Sequence, residues 1–510
     1  MLARLNPYRK RLQKRLWINT PACSAQAQDD LVDVGIVGLR SLTATPSSPA
    51  KCLVQDAADN VLADRQTVWL EHQERRMNAA AHGQQVSPAT LRKVIAASAI
   101  GNFVEWFDFA VYGFLAVTIA SLFFPPGNPT LALLQTFAVF AVSFALRPLG
   151  GIVFGILGDR IGRKRVLSIT VLLMAGATTL IGLLPTYASI GLLAPLLLAL
   201  ARCLQGFSAG GEYAGACAFV MEHAPTEQKA RYGSFVPVST FLAFASAAGL
   251  VFGLDQLISS EQMQAWGWRL PFLIAAPLGL VGLYMRLRLD ESPAFKAMAS
   301  EPAPEHSPLK ETLRLHGATI ACLGAFISAT ALSFYMFTTY LTTYMQVVGG
   351  ATRPTALLAS LMALTFAGLL CPLVGRYSDY VGRRRTILTA GVALIVAVYP
   401  AFTLATSGAL LPSALGAMLL AVGAVICGVV TAVLLSEQFP TRVRYTASAF
   451  TYNLAYTIFG GTAPLVATWL IEQTGDRMAP AYYLIVIALI ALAGGLALPE
   501  SSKRPLNYQR

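Results

Sequence analysis

Charge is scarce in this chain. Asp, Glu, Lys and Arg make up only 13% of its 510 residues, against about 25% in soluble domains. That excludes an ordinary water-soluble globule. With 55% hydrophobic residues and a mean hydropathy of +0.57, it points to long apolar segments in a bilayer. The seven cysteines show no CxxC spacing and no cluster with histidine, which excludes a metal site and a disulfide framework. Cys203, Cys217, Cys322, Cys371 and Cys427 lie inside apolar segments, where they act as small apolar residues. There is no GxxxxGK[ST], so ATP is not the direct energy source. No nucleophile–base set suggests an enzyme, and nothing calls for a cofactor. No lysine lies in the middle of an apolar segment. The five histidines (His72, His82, His223, His306 and His316) all lie outside the segment centres. Proton chemistry within the membrane therefore falls to carboxylates.

Twelve apolar segments are present, at 93–122, 131–157, 166–187, 190–222, 233–258, 268–288, 317–347, 354–375, 386–406, 410–437, 446–472 and 480–498. Each is near or above the ~20 residues that a helix needs to cross the hydrocarbon. Backbone polar groups must be satisfied internally in lipid, so the segments are expected to be helices. The expected fold is an all-α membrane protein: a six-helix bundle over 91–288, a cytoplasmic connector over 289–316, a second bundle over 317–498 and a cytoplasmic segment over 499–510. Residues 1–90 read as a disordered extension, and a native start at Met77 is the favoured explanation for it.

The net charge of +12 does not signal a nucleic-acid partner, because the basic residues sit between apolar segments. Lys and Arg concentrate in the connectors after the even-numbered segments. Those after the odd-numbered ones hold only Arg353 and Arg477, together with Arg269 at the very start of the sixth segment. The positive-inside rule then places both termini in the cytoplasm.

One basic loop occurs twice. Gly155-Ile156-Leu157-Gly158-Asp159-Arg160-Ile161-Gly162-Arg163 returns as Gly375-Arg376-Tyr377-Ser378-Asp379-Tyr380-Val381-Gly382-Arg383. Gly155, Asp159, Gly162 and Arg163 map onto Gly375, Asp379, Gly382 and Arg383 at one constant offset, the mark of an internal repeat. The glycines permit a tight turn. The aspartates can face helix N-termini or arginines. Such pairs can be made in one conformation and broken in another, so these residues are the expected gate. Small-residue spacings at Gly151/Gly155, Gly206/Gly210 and Gly249/Gly253 suggest close helix contacts. Pro148, Pro237, Pro277 and Pro372 suggest kinks.

Polar groups inside lipid are costly, so each is a functional candidate. Asn102, Glu105 and Asp108, with Tyr112 four residues further on, share one face of the first helix. Glu105, Asp108 and Glu212 are the available proton-coupling carboxylates. Arg202 lies nearer the membrane middle, as a partner for Glu105 or Asp108 or for a substrate carboxylate. Arg147 and Glu212 lie toward cytoplasmic helix ends, where tying helices together is a sufficient role. Trp106 and Tyr112 on the first helix, and Tyr335 and Thr339 on the aromatic, hydroxyl-rich seventh, can line a pocket with Asn102 and Arg202. Aromatic faces can hold a quaternary ammonium.

The GxxxDRxGRK loop after the second segment, with its copy after the eighth, resembles the signature of the major facilitator superfamily. Gly101-Asn102-Phe103-Val104-Glu105-Trp106-Phe107-Asp108-Phe109, Arg147-Pro148-Leu149-Gly150-Gly151, Gln205-Gly206-Phe207-Ser208-Ala209-Gly210-Gly211-Glu212-Tyr213, Gly267-Trp268-Arg269-Leu270-Pro271-Phe272 and Phe439-Pro440-Thr441-Arg442-Val443-Arg444 narrow the resemblance to its metabolite:proton symporters. Ala110-Val111-Tyr112-Gly113-Phe114 is similar to the bacterial proline/glycine betaine carriers of that group. The resemblance implies a central cavity lined mainly by helices 1, 4, 7 and 10, opened alternately by rocking of two halves. It implies a monomeric multi-pass carrier in the inner membrane that imports a small zwitterionic or anionic metabolite with protons. Proline or glycine betaine is the first expectation; citrate, 2-oxoglutarate or shikimate is the alternative. A proton-driven exporter or a transporter-like receptor is the alternative class. Because the sequence stops soon after the last helix, tuning by the C-terminal coiled coil of some osmosensing members is not expected.

Overall fold

The computed structural model describes residues 88–161, 163–210, 212–287, 308–440 and 444–502. The N-terminal extension, most of the 289–316 connector and Gly162 lie outside the described residues. So do the side chains of Gly155, Asp159, Arg163 and Glu212.

The described residues are helical and contain no strand. In chain order the helices are α1 (Pro88–Phe114, resuming as Ala116–Phe123), α2 (Pro129–Ala145, then Arg147–Ile161), α3 (Arg163–Leu183) and α4 (Leu193–Ser208, then Glu212–His223). Next come α5 (Lys229–Gly233, then Phe235–Leu257), α6 (Arg269–Leu273, then Ala275–Leu287), α7 (Pro308–Tyr335, a π-turn over Met336–Tyr340, then Leu341–Val347) and α8 (Arg353–Val381). The last four are α9 (Arg383–Ala405), α10 (Leu410–Glu437), α11 (Arg444–Ala455, a π-turn over Tyr456–Gly461, then Ala463–Thr474) and α12 (Ala479–Ala497). Eleven are long and apolar enough to cross a membrane over their described residues. The twelfth, α3, contributes the shorter apolar stretch Ser168–Leu183. Leu192, Leu369, Val396 and Leu411 point outward, as a lipid-facing surface requires.

Proline shapes several of these helices. α2 is interrupted at Leu146 just before Pro148, α5 at Ser234 before Pro237, and α6 at Ile274 before Pro277. α8, by contrast, runs on through Pro372. Of the small-residue spacings, Gly206/Gly210 is a true close approach. A Cβ on Gly206 would run into the Ser143 carbonyl, and one on Gly210 into the Arg147 carbonyl, so the backbones of α4 and α2 touch. Gly249/Gly253 is not such a contact: Gly249 meets only the Leu361 side chain at ordinary distance, and Gly253 meets nothing.

The first six helices pack together, as do the last six. The two halves meet where α5 lies along α8, α2 along α11, and α1 against the π-turn of α7.

Candidate functional site

The polar stripe of α1 is divided between two tasks. Asn102 is a clamp: the two hydrogens of its Nδ2 are shared among the Val236 carbonyl (3.2 Å), Ser239 Oγ (2.9 Å) and Thr240 Oγ1 (2.7 Å) of α5. Its Oδ1 accepts from Trp106 Nε1 at 3.0 Å, which fixes the indole. Asn102 is therefore committed to the protein itself and supports a neighbouring ring. Tyr112 is committed in the same way, with its hydroxyl donating to the Thr136 carbonyl at 2.9 Å.

Glu105 and Asp108 face different partners. Glu105 Oε1 lies 3.8 Å from Arg147 Nη2, with both side chains almost fully buried. Asp108 Oδ2 accepts from Thr178 Oγ1 of α3 at 2.9 Å. Thr178 in turn accepts from Gln205 Nε2 at 2.5 Å, and Gln205 Oε1 accepts from Arg202 Nη1 at 2.8 Å. Arg202 thus reaches Asp108 through two intervening side chains and forms no direct ion pair with it. Arg202 Nη2 also donates to Ser143 Oγ at 3.4 Å.

This relay can accommodate a proton. The Thr178 hydroxyl has one hydrogen and two acceptors in range, Asp108 Oδ2 and the Met174 carbonyl at 3.0 Å. When Asp108 is ionised, Thr178 donates to it. When Asp108 carries a proton, Asp108 can donate to Thr178, whose hydrogen turns to Met174. Both states keep their hydrogen bonds, and Asp108 Oδ1 has no partner in this structure.

Beside the relay lies an aromatic enclosure. The Trp106 ring stands 5.2 Å from Phe334 and 6.3 Å from Tyr335 of α7. Tyr335 packs against Phe144 of α2 (5.2 Å) and Tyr456 of the α11 π-turn (6.1 Å). Arg147, at the interruption of α2, points into these rings. Its Cζ lies 4.4 Å from Phe144, 4.5 Å from Phe109 and 5.7 Å from Trp106. Arg202 stands 4.2 Å over Tyr112 and 5.2 Å from Phe109, so Phe109 serves both guanidiniums. Arg147 Nε and Nη2, Arg202 Nε, the Tyr335 and Tyr452 hydroxyls and Thr339 Oγ1 are buried without hydrogen-bond partners. Thr339 lies directly against Gly113 of α1. Convergent unpaired polar atoms among aromatic faces are what a small charged solute needs.

Two departures from the sequence expectation stand out. Arg147 was expected near a helix end as a tie between helices, yet it lies in the aromatic enclosure. The enclosure is built from α1, α2, α7 and α11, with α4 supplying Arg202, rather than mainly from helices 1, 4, 7 and 10. The reason is local: the interruption at Leu146 and the α11 π-turn present Arg147 and Tyr456 inward. α10 carries neither a charged nor an aromatic residue between Leu410 and Ser436.

The described copy of the repeated loop joins the two halves. Asp379 Oδ1 and Oδ2 accept from the backbone N–H groups of Ala230 (3.0 Å) and Arg231 (2.8 Å) in the first turn of α5. Gly375 makes room for that turn, because a Cβ there would meet the Ala230 carbonyl. Gly382 turns the chain into α9 at φ +90°, a conformation glycine tolerates. Arg383 donates to Asp379 Oδ1 (3.0 Å) and holds Glu437 of α10 through Nε (3.1 Å) and Nη2 (3.0 Å). Lys229 Nζ of the first half lies 3.6 Å from the same Glu437.

Sequence reasoning missed Lys229, Glu437 and Glu500. Glu500, just beyond α12, accepts from the N–H groups of Arg383 (3.0 Å) and Arg384 (2.9 Å). Burial alone would raise its carboxyl, but the N–H groups of Arg384, Arg383 and Ser502 outweigh that and hold it at about 2. At the opposite end, among the described residues, an ion pair joins the halves, Arg353 Nε to Asp255 Oδ2 at 3.0 Å. With contacts made at both ends, the enclosure is shut: Trp106, Arg147, Arg202 and Tyr335 are all buried.

Comparison with known proteins gives a consistent set of likenesses. A model of the Major Facilitator Superfamily matches residues 98–464. The chain is 38% identical over 433 residues to the proline/betaine transporter of Salmonella typhimurium, covering 83% of this chain and 86% of that one. It is 38% identical over 432 residues to the glycine betaine/proline/ectoine/pipecolic acid transporter OusA of Dickeya dadantii, with the same coverage of 83% and 86%. The ectoine/proline transporter ProP of Corynebacterium glutamicum is 36% identical, over 82% of this chain and 86% of that one. Among solved structures, the proton:xylose symporter XylE bound to 6-bromo-6-deoxy-D-glucose has the same fold. Its TM-score is 0.66 at 14% identity, over 81% of this chain and 97% of that one.

Proposed function

The chain belongs to the major facilitator superfamily, and from that membership we propose that it is a proton-coupled symporter of proline, glycine betaine or a similar small zwitterion, working by alternating access across the membrane. The observation that carries the reading is the shut enclosure between the halves. It combines aromatic faces from α1, α2, α7 and α11 with unpaired guanidinium N–H groups, next to a buried carboxyl able to hold or release a proton. A substrate ammonium would rest on the ring faces of Trp106, Phe109 and Phe144, where the Arg147 guanidinium lies in this structure, by cation–π attraction. Its carboxylate would meet the unpaired N–H groups of Arg147, with Arg202 as the second cation. Asp108 would carry the coupled proton, and Glu105 would answer through its pairing with Arg147.

The gate reading extends to both copies of the repeated loop. Asp379 and Arg383 would latch the motif end, with Asp159 and Arg163 as their counterparts. The carrier would be a monomer of the inner membrane, with the motif end and both termini in the cytoplasm. Two guanidiniums in the enclosure also favour a second reading, an organic acid such as citrate in place of the zwitterion.

The test is uptake of labelled proline, glycine betaine and citrate into proteoliposomes under an imposed inward proton gradient. Proline and betaine should accumulate, and a protonophore should abolish the accumulation. Asp108→Asn should lose gradient-driven accumulation, to less than about a tenth, while keeping solute exchange. Protonophore-insensitive uptake would refute the coupling, and full accumulation by Asp108→Asn would refute the assignment.

A further inference from the structure

The aromatic enclosure already holds a cation, and it belongs to the protein. Arg147 places its guanidinium 4.4–5.7 Å from three ring centroids. A guanidinium is a broad, weakly hydrated cation, as a quaternary ammonium is, and both are attracted by the same negative ring faces. Arg147 is held there loosely. Its nearest carboxylate oxygen, on Glu105, is 3.8 Å away, and Nε and Nη2 have no hydrogen-bond partner. Pro148 follows it directly, and the break at Leu146 frees the local backbone from a continuous helix.

We propose that Arg147 is the specificity-determining residue of the enclosure: its guanidinium occupies the cation's place on the rings, and only a cation that brings its own carboxylate can displace it. The proposal rests on the zwitterion reading above and adds a rule of exclusion to it. A zwitterion offers Arg147 a carboxylate for its unpaired N–H groups, so the guanidinium swings off the rings and the substrate ammonium takes them. A quaternary amine without a carboxylate, such as choline, has nothing to draw the guanidinium away. It would have to enter beside a like charge in a buried site. Arg202 cannot substitute, because Gln205 and Ser143 hold its two terminal nitrogens.

The experiment is competition against labelled proline uptake in proteoliposomes, with glycine betaine and choline as competitors. In the wild type, betaine should compete at least about ten-fold better than choline. Arg147→Gln removes the cation and keeps a polar group. It should weaken betaine and strengthen choline, so that the betaine-to-choline ratio falls at least about ten-fold. Arg147→Lys keeps a cation and should keep most of the ratio, which a role in packing alone would not produce. Choline competing as well as betaine in the wild type would overturn the proposal without any variant. So would an unchanged ratio in Arg147→Gln. If Arg147→Gln does not fold, loss of the ratio in Arg147→Lys with proline uptake intact would also overturn it. A wild type that transports neither proline nor betaine would refute the substrate reading instead.

Discussion

Asp379→Asn is the substitution that most directly tests the latch. Asp379 accepts two backbone N–H groups from the first turn of α5, at 3.0 and 2.8 Å, and one from the Arg383 side chain at 3.0 Å. The two backbone bonds cross between the halves, so they exist only while this end is closed. Asparagine keeps one acceptor oxygen and turns an NH2 group toward the second N–H. It also removes the negative charge that faces the positive end of a helix. Loss of a capping acceptor costs about 0.5–2 kcal/mol, and the dipole interaction adds about 0.3–1 kcal/mol. The cost falls on the closed state alone, because Arg383 keeps Glu437 and the Ser378 carbonyl in either half-arrangement. About 1–3 kcal/mol corresponds to a shift of roughly 5- to 150-fold toward an open motif end. Spin labels at the exposed positions Glu227 and Tyr380 report that end, and labels at Leu257 and Leu411 report the other. A longer distance should appear in the first pair for Asp379→Asn. Unchanged distances in both pairs, with normal transport, would refute the latch.

Two further perturbations address the same end. Glu437→Gln leaves Lys229 and Arg383 buried around a neutral group. Arg383 keeps Asp379, so the cost is that of the lost charge-assisted bonds, about 1.5–3 kcal/mol, and the melting temperature in detergent should fall clearly; an unchanged value would contradict the network. Glu500 adds a pH dependence. Its pKa drops from 4.5 in the free chain to about 2 when docked, so docking is stabilised fully above 4.5 and loses that support as pH falls toward 2. Amide exchange protection at Arg383 and Arg384, which donate to Glu500, should fall across that window, and Glu500→Gln should flatten the response.

The order of the helices was legible because lipid imposes it: each crossing needs a long apolar run, and charge is tolerated only between runs. The stripe on α1 was legible for the same reason, and it does point inward. What periodicity along one helix cannot give is the neighbour across the gap. Asn102 reads the same as Glu105 in sequence, yet α5 brings Ser239 and Thr240 to it and takes it out of the enclosure. Thr178 carried no signal, because one hydroxyl in an apolar segment is ordinary; its importance comes from lying between Asp108 and Gln205. Arg147 was underestimated because its depth depends on the break at Leu146, which the following proline hinted at but did not locate. Lys229 and Glu437 are distant in sequence and belong to different halves, so only packing reveals that they share one site.

The indole of Trp106 is pinned to α5 through Asn102, while Tyr335 belongs to the seventh helix. The two rings therefore ride on different halves and act as the jaws of a caliper. Whatever lies between them sets how nearly the halves can approach, and so whether the bonds at the two ends can form together. A flat or compact cargo lets the jaws shut; a bulky one holds them apart and stalls the cycle with an end open. On the proposed placement of the cargo, size selection would be exercised on movement, after the cargo has already been bound.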